Sequence, residues 1–316
     1  MKLLTRFIQF SLLGIVLLVL LIAILYGHRD LPLSELKEKY AQSPSSFISI
    51  NNMDVHYRDE GNLTDTLPIV LIHGTAASLH TFDDWTAELK NDFRVVRMDL
   101  PAFGLTGPFP HRQYTIENYV VFLEHFLSAK GINKCILGGN SLGGEIAWRF
   151  TVKNPELVDK LVLINAAGYR YDSESEPIAF TIGRIPVLNK LFTFITPRSV
   201  VQTSVESAYA NKTKLSNAIV DRYFELALRE GNRQAFVDRM QIGPHNSPVH
   251  LIKEIQQPTL VLWGEQDYVI PSEMAYRFHE DLPNDSLVIL KNIGHIPMEE
   301  SPQESLIPLL SYLKNE

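Results

Sequence analysis

The stretch Gly139-Asn140-Ser141-Leu142-Gly143-Gly144 limits what this chain can become more than any other. Lys134-Cys135-Ile136-Leu137 runs into it, short, apolar and closed by glycines, which reads as a buried parallel strand. Behind it, Glu145 to Lys153 carries Ile146, Ala147 and Phe150 at helical spacing. A strand passing straight into a helix leaves a sharp turn with Ser141 at its tip. Gly139 and Gly143 have no Cβ, which lets the two elements approach closely. The pattern G-x-S-x-G is the nucleophile elbow, in which a strained turn exposes a serine hydroxyl above a sheet.

The surrounding chain supplies strands and helices in alternation. Phe47 to Ile50 and Met53 to Arg58 flank Asn51-Asn52 and predict a hairpin. Pro68-Ile69-Val70-Leu71-Ile72 is a buried-strand run ending in His73-Gly74-Thr75-Ala76-Ala77, and Arg94 to Met98 is the next strand. A helix begins near Thr115, with Val120, Leu123, Phe126 and Leu127 on one face and Gly131 as its stop. Leu161 to Ile164 follows the elbow helix and ends at Asn165. The expected core is therefore an α/β, mostly parallel, doubly wound sheet over residues 47–168 and 254–316, with ligands at the C-terminal strand ends.

Residues 169–253 break the alternation. No clear strand is visible there, helices are expected over Leu215 to Glu230 and Asn232 to Met240, and the segment is too long for a structureless loop. It reads as an inserted helical cap. Ile178 to Ile195, strongly apolar, suits cap packing, an acyl-binding wall or a membrane-facing lid. The sheet resumes at Thr259 to Trp263 and Ser286 to Leu290, and a helix from Glu304 to Leu313 closes the domain.

Composition excludes several classes. The chain has 316 residues, 45% hydrophobic and 21% charged, which suits a packed globular protein. Its net charge of −7, with no basic block, lacks the footprint of a nucleic-acid binder. Cys135 is the only cysteine, so no intrachain disulfide can form, and its strand position suggests a buried, inert thiol. Neither C-x-x-C nor H-E-x-x-H occurs, so no metal site or cofactor is expected.

The N-terminus is different. Phe7 to Tyr26 is uncharged and interrupted only by Gln9, Ser11 and Gly14; at about 1.5 Å per residue it would reach across a bilayer core. Residues 1–29 are thus expected to form a single-pass signal anchor, with the globular part on the extracytoplasmic side. A cleaved signal peptide and a secreted form are the alternative, although no small-x-small site follows the run. Residues 30–46 read as a linker or a short helix.

A serine hydroxyl needs a base, and the base needs an acid to fix its tautomer. The strand at Leu260 ends in Gly264-Glu265-Gln266-Asp267, and the strand at Val288 ends in Asn292-Ile293-Gly294-His295. The order Ser141, Asp267, His295 matches that of the elbow-type hydrolases. Glu265 is a second candidate acid; Asn165 cannot carry the charge. Backbone N–H groups of Leu142 and Thr75 are the expected oxyanion donors. His73 precedes the nucleophile in a His-Gly turn and reads, with Gly74, as loop support. Glu299 and Glu300 look like a helix start before Pro302.

His73-Gly74, Gly139 to Gly144, Trp263 to Asp267 and Gly294-His295-Ile296-Pro297-Met298-Glu299-Glu300 together resemble the α/β-hydrolase superfamily over about residues 47 to 316. Within it the chain is similar to the microbial lipase and esterase branch and to relatives that hydrolyse carbon–carbon bonds of ring-cleavage products. Those relatives usually carry tryptophan directly after the catalytic histidine, where this chain has Ile296. Haloalkane dehalogenases and epoxide hydrolases use an aspartate nucleophile, against which Ser141 argues. Ala102 stands where relatives often have glycine in the Asp-x-Pro-Gly-x-Gly turn. The resemblance implies a serine hydrolase of carboxylic esters acting on a small-molecule or lipid ester, and the apolar N-terminus adds the expectation of a membrane anchor. Carbon–carbon bond hydrolysis and a non-catalytic ligand-binding role are the alternatives.

Overall fold

The computed structural model describes residues 2–171, 173, 175–242 and 247–314, with residues 2–4, 8, 15, 16, 18–20, 22, 23 and 25 given by backbone alone. Eight strands form one sheet: β1 (Ser46–Ile50), β2 (Met53–Glu60), β3 (Ile69–Ile72), β4 (Val95–Met98), β5 (Cys135–Asn140), β6 (Val158–Ile164), β7 (Thr259–Gly264) and β8 (Asp285–Leu290). Their spatial order is β1-β2-β4-β3-β5-β6-β7-β8. The pairs β1–β2 and β2–β4 are antiparallel, and every other neighbouring pair is parallel. The first two strands join through Asn51 and Asn52 at φ 49° and 64°, which the hairpin's tight turn requires and asparagine tolerates.

The central strands are apolar throughout because both faces are covered. Ile69 to Ile72, Cys135 to Asn140 and Thr259 to Gly264 are buried at every position. Burial also pushes the Cys135 thiol up to about 12, as befits an unreactive core cysteine. The helices are, in chain order, α1 (Lys2–Tyr26), α2 (Leu33–Tyr40), α3 (Asp83–Leu89), α4 (Ile116–Ala129), α5 (Leu142–Lys153), α6 (Ile178–Arg184), α7 (Leu188–Phe192), α8 (Arg198–Glu206), α9 (Asn217–Ala227), α10 (Asn232–Met240), α11 (Glu273–Asp281), α12 (Pro297–Glu300) and α13 (Pro302–Lys314). The start of α4 is set by Thr115, whose hydroxyl accepts the Asn118 N–H.

Helices α6 to α10 lie between β6 and β7. The apolar run Ile178 to Ile195 is divided between α6 and α7, since Pro186 cannot continue a helix and Val187 takes φ 74°. Residues 30–46 hold α2, whose Leu36 is buried and whose Lys39 and Tyr40 both reach Glu225 of α9 at 2.7 Å. The segment before it is fastened as well: His28 N–H donates to Phe194 O at 3.2 Å, and Leu31 N–H to Leu228 O at 2.7 Å.

The N-terminal expectation needs correction. Among the described residues no helix is long and apolar enough to cross a membrane, so the single-pass anchor over residues 1–29 and its extracytoplasmic placement are withdrawn. A spanning helix needs about 18 or more predominantly apolar residues in succession. The side chains described for α1, with Gln9, Ser11 and Gly14 among them, do not make up such a run.

The tightest joint of the fold is between β5 and α5. A Cβ on Gly139 would stand 2.1 Å from the Gly143 carbonyl oxygen, and one on Gly143 would stand 2.2 Å from that of Ile72. Both obstacles are backbone and cannot swing aside. Gly139→Ala is therefore expected to cost about 3 kcal/mol or to prevent folding outright, read by chemical denaturation of the purified variant.

Candidate active site

Six strand ends converge on one edge of the sheet. After β3 come His73, Gly74 and Thr75; after β4, Asp99; after β5, Ser141; after β6, Asn165; after β7, Asp267; after β8, His295. Ser141 occupies the strand-to-helix turn at φ 55° and ψ −116°, a left-handed conformation that costs a non-glycine residue about 1–3 kcal/mol. Surrounding bonds hold it there: its N–H donates to Ile164 O at 3.0 Å, and its carbonyl accepts from Glu145 and Ala167 N–H. Gly74 lies against this turn, since a Cβ there would sit 3.1 Å from the Ser141 Cβ.

His295 and Asp267 form a buried pair with Nδ1 to Oδ2 at 2.7 Å. The carboxylate is fully engaged. Oδ2 also accepts from Asn165 Nδ2 at 2.7 Å, while Oδ1 accepts the Val269 and Ile270 N–H groups at 2.9 Å each. Such a carboxylate fixes the imidazole's orientation and its tautomer. Glu265, the other acidic residue of that loop, is exposed and accepts the Asn292 N–H instead. Ser141 and His295 line the same cavity. No hydrogen bond joins the two side chains directly.

That cavity, of about 120 Å³, is bounded below by Gly74, Thr75, Ser141 and His295, and otherwise by apolar side chains such as Phe180, Phe192, Val205 and Phe236. The first N–H groups of α5, Leu142 among them, have no acceptor within their own helix and lie at its positive end. Thr75 faces the cavity from the β3 loop. Ala102 takes φ 85° beside it and, like Phe103 and Gly104, contributes to the wall. Among the described residues no group of three or more His, Cys, Asp or Glu side chains is gathered as metal ligands would be.

His73 is fully buried and spends both ring nitrogens on backbone. Nδ1–H donates to Gly74 O at 2.8 Å, and Nε2 accepts the Leu100 N–H at 2.9 Å. Burial holds its imidazole below the usual histidine range, although Asp99 and the Gly74 bond oppose that shift. Its geometry is that of a brace between the β3 and β4 loops.

Three polar residues near the site have supporting roles that the sequence did not assign to them. Asn140 donates to Ile164 O at 3.1 Å and His295 O at 3.0 Å, tying the serine turn to the histidine loop. Asn165 supports Asp267, as above. Glu300 accepts from Gly294 N–H at 2.7 Å, Asn211 N–H at 2.7 Å and Ala210 N–H at 3.2 Å. Asn140 and Asn165 stood at strand ends beside the elbow, which was the available signal; Glu300 had none beyond its proximity to His295.

Comparison with known proteins identifies what the chain is similar to. A family model described as alpha/beta hydrolase family matches residues 69–307. The chain is 28% identical to the 2-hydroxy-6-oxo-6-(2'-aminophenyl)hexa-2,4-dienoic acid hydrolase of Metapseudomonas resinovorans, over 84% of this chain and 90% of that one. It is 26% identical to the uncharacterized hydrolase YugF of Bacillus subtilis (strain 168), over 83% and 95% respectively. Among solved structures, a membrane phospholipase A described as a novel bacterial virulence factor superposes with a TM-score of 0.71 at 25% identity, covering 99% of this chain and 97% of that one.

The burial of His73 has a consequence for pH. Its folded-state affinity for a proton is below that of the unfolded chain, so its contribution to stability is complete above about pH 6.5 and is lost as pH falls below that. His73→Asn should lose about 1–3 kcal/mol at pH 8. The gap to the unmodified protein should narrow between pH 6.5 and 5, measured by urea denaturation at each pH.

Proposed function

This chain belongs to the alpha/beta hydrolase family, and on that premise we propose that it is a serine hydrolase of carboxylic esters with an apolar acyl part. That the chain is a hydrolase of this fold follows from the family; the substrate class and the roles below are our reading. The observation that carries it is the buried His295–Asp267 pair opening onto the cavity that also holds the strained Ser141.

In this reading His295 Nε2 takes the Ser141 hydroxyl proton as Oγ attacks the ester carbonyl. Asp267 holds the resulting imidazolium, and the N–H groups of Thr75 and Leu142 receive the negative oxygen. Collapse expels the alcohol, which takes the proton back from His295. A water deprotonated by His295 then attacks the acyl-enzyme, Ser141 leaves with the proton, and the acid is released. Residues 169–253 act as a cap over a core of residues 47–168 and 254–316, and the apolar faces of α6 to α10 receive the acyl chain.

A second reading, hydrolysis of a carbon–carbon bond in a ring-cleavage product, draws on the 28% identity to the dienoic acid hydrolase. Its substrate is an anion, and an unpaired carboxylate is costly to bury in an apolar cavity. The one guanidinium that lines the cavity among the described residues, that of Arg233, already holds the carboxylate of Asp30. This charge pairing supports the ester.

Ser141→Ala should lower turnover of p-nitrophenyl butyrate by up to about a millionfold and abolish labelling by a fluorophosphonate probe. Asp267→Asn should lower kcat by about 10⁴. Preference for a dienoate ring-cleavage product over the butyrate would select the second reading. Absence of labelling in the unmodified protein would indicate a non-catalytic binding role.

A further inference from the structure

Arg233, at the start of α10, borders two cavities. One holds Ser141. The other, of about 460 Å³, is lined by Gly27, His28, Arg29, Asp30, Thr193, Phe194 and Ile195. Arg233 is the one residue these two linings share among the described residues, and it is only 5% exposed. Its guanidinium is held from the N-terminal side: Nε and Nη2 donate to Asp30 Oδ1 at 3.0 and 2.6 Å, and Nη2 to His28 O at 2.8 Å. Nη1 reaches Thr196 Oγ1 at 3.4 Å. The strap that carries Asp30 is itself bonded into the helical segment, through His28 to Phe194 and Leu31 to Leu228.

A charged group fixed between two cavities is an obstacle to an alkyl chain. Apolar methylenes gain by burial against Phe180, Phe192, Val205 or Phe236, and lose that gain where they meet a guanidinium already committed to a carboxylate. Resting on the ester-hydrolase reading above, we propose that Arg233, locked by Asp30, is the end wall of the acyl site and sets the longest acyl chain accepted. The second cavity lies on the other side of this residue, so a shorter side chain is expected to open the acyl site toward it. Arg233 acts on chain length alone and takes no part in the proton transfers at Ser141.

The test is a series of p-nitrophenyl esters from C4 to C16 on the full-length protein and its Arg233→Ala and Arg233→Lys variants, with fluorophosphonate labelling as the check for a competent site. Each further buried methylene is worth about fourfold in binding. The ratio of kcat/KM for the first ester beyond the native limit to that for butyrate should therefore rise at least about tenfold in Arg233→Ala, with the limit displaced by two or more carbons. Arg233→Lys, still charged and able to pair with Asp30, should keep the native limit. Should Arg233→Ala not fold, Arg233→Gln, shorter but able to donate to the His28 carbonyl, is judged by the same criterion. A folded, probe-reactive variant with the native chain-length profile overturns the proposal. Absence of both labelling and ester turnover in the unmodified protein instead overturns the ester-hydrolase reading itself.

Discussion

The contact between Gly139 and Gly143 is the constraint from which the site follows. With no Cβ on either side, α5 starts against the end of β5 and also meets the carbonyl of Ile72 at the end of β3. The chain has no room for a wider turn, so Ser141 is driven to φ 55°, with its carbonyl bonded to Glu145 and Ala167 and its N–H to Ile164. The strain is met by the interlocked backbone around it, a common arrangement where a side chain must be presented rather than packed. The α5 N-terminus and the β3 loop then face one cavity because the same close approach brings them together.

Much of this was legible in the sequence because it is encoded locally. The elbow is six consecutive residues, the central strands are unbroken apolar runs, and Asp267 and His295 each lie in the short loop after a strand. The supporting residues are different. Asn140 reaches the His295 carbonyl across 155 positions, Asn165 reaches Asp267 across 102, and Glu300 reaches Asn211 across 89. No local pattern announces a partner that the fold alone supplies. The N-terminal expectation failed for a related reason: a count of apolar residues does not establish that a helix can span a bilayer. In the helical segment, Pro186 splits what hydrophobicity alone suggested was a single element.

Charge around the cavity is balanced before any ligand arrives. Arg222 meets Glu299, whose Oε2 also accepts from the hydroxyls of Tyr209 and Tyr223 at 3.1 and 3.2 Å. Arg233 meets Asp30. Cavity walls otherwise consist of aromatic, aliphatic and small residues with a few neutral polar groups. An interior of this kind favours uncharged, hydrocarbon-rich ligands and offers polar recognition chiefly at the strand ends.

Glu300 joins two parts of the molecule through one carboxylate. It accepts from Gly294 on the histidine loop and from Ala210 and Asn211 in the helical segment, while His295 N–H donates to Ala208 O at 2.8 Å. The stretch from Ala208 to Asn211 is thus riveted to the loop bearing His295. Any displacement of that stretch would pull on the backbone of His295 and so on the seat of its imidazole against Asp267.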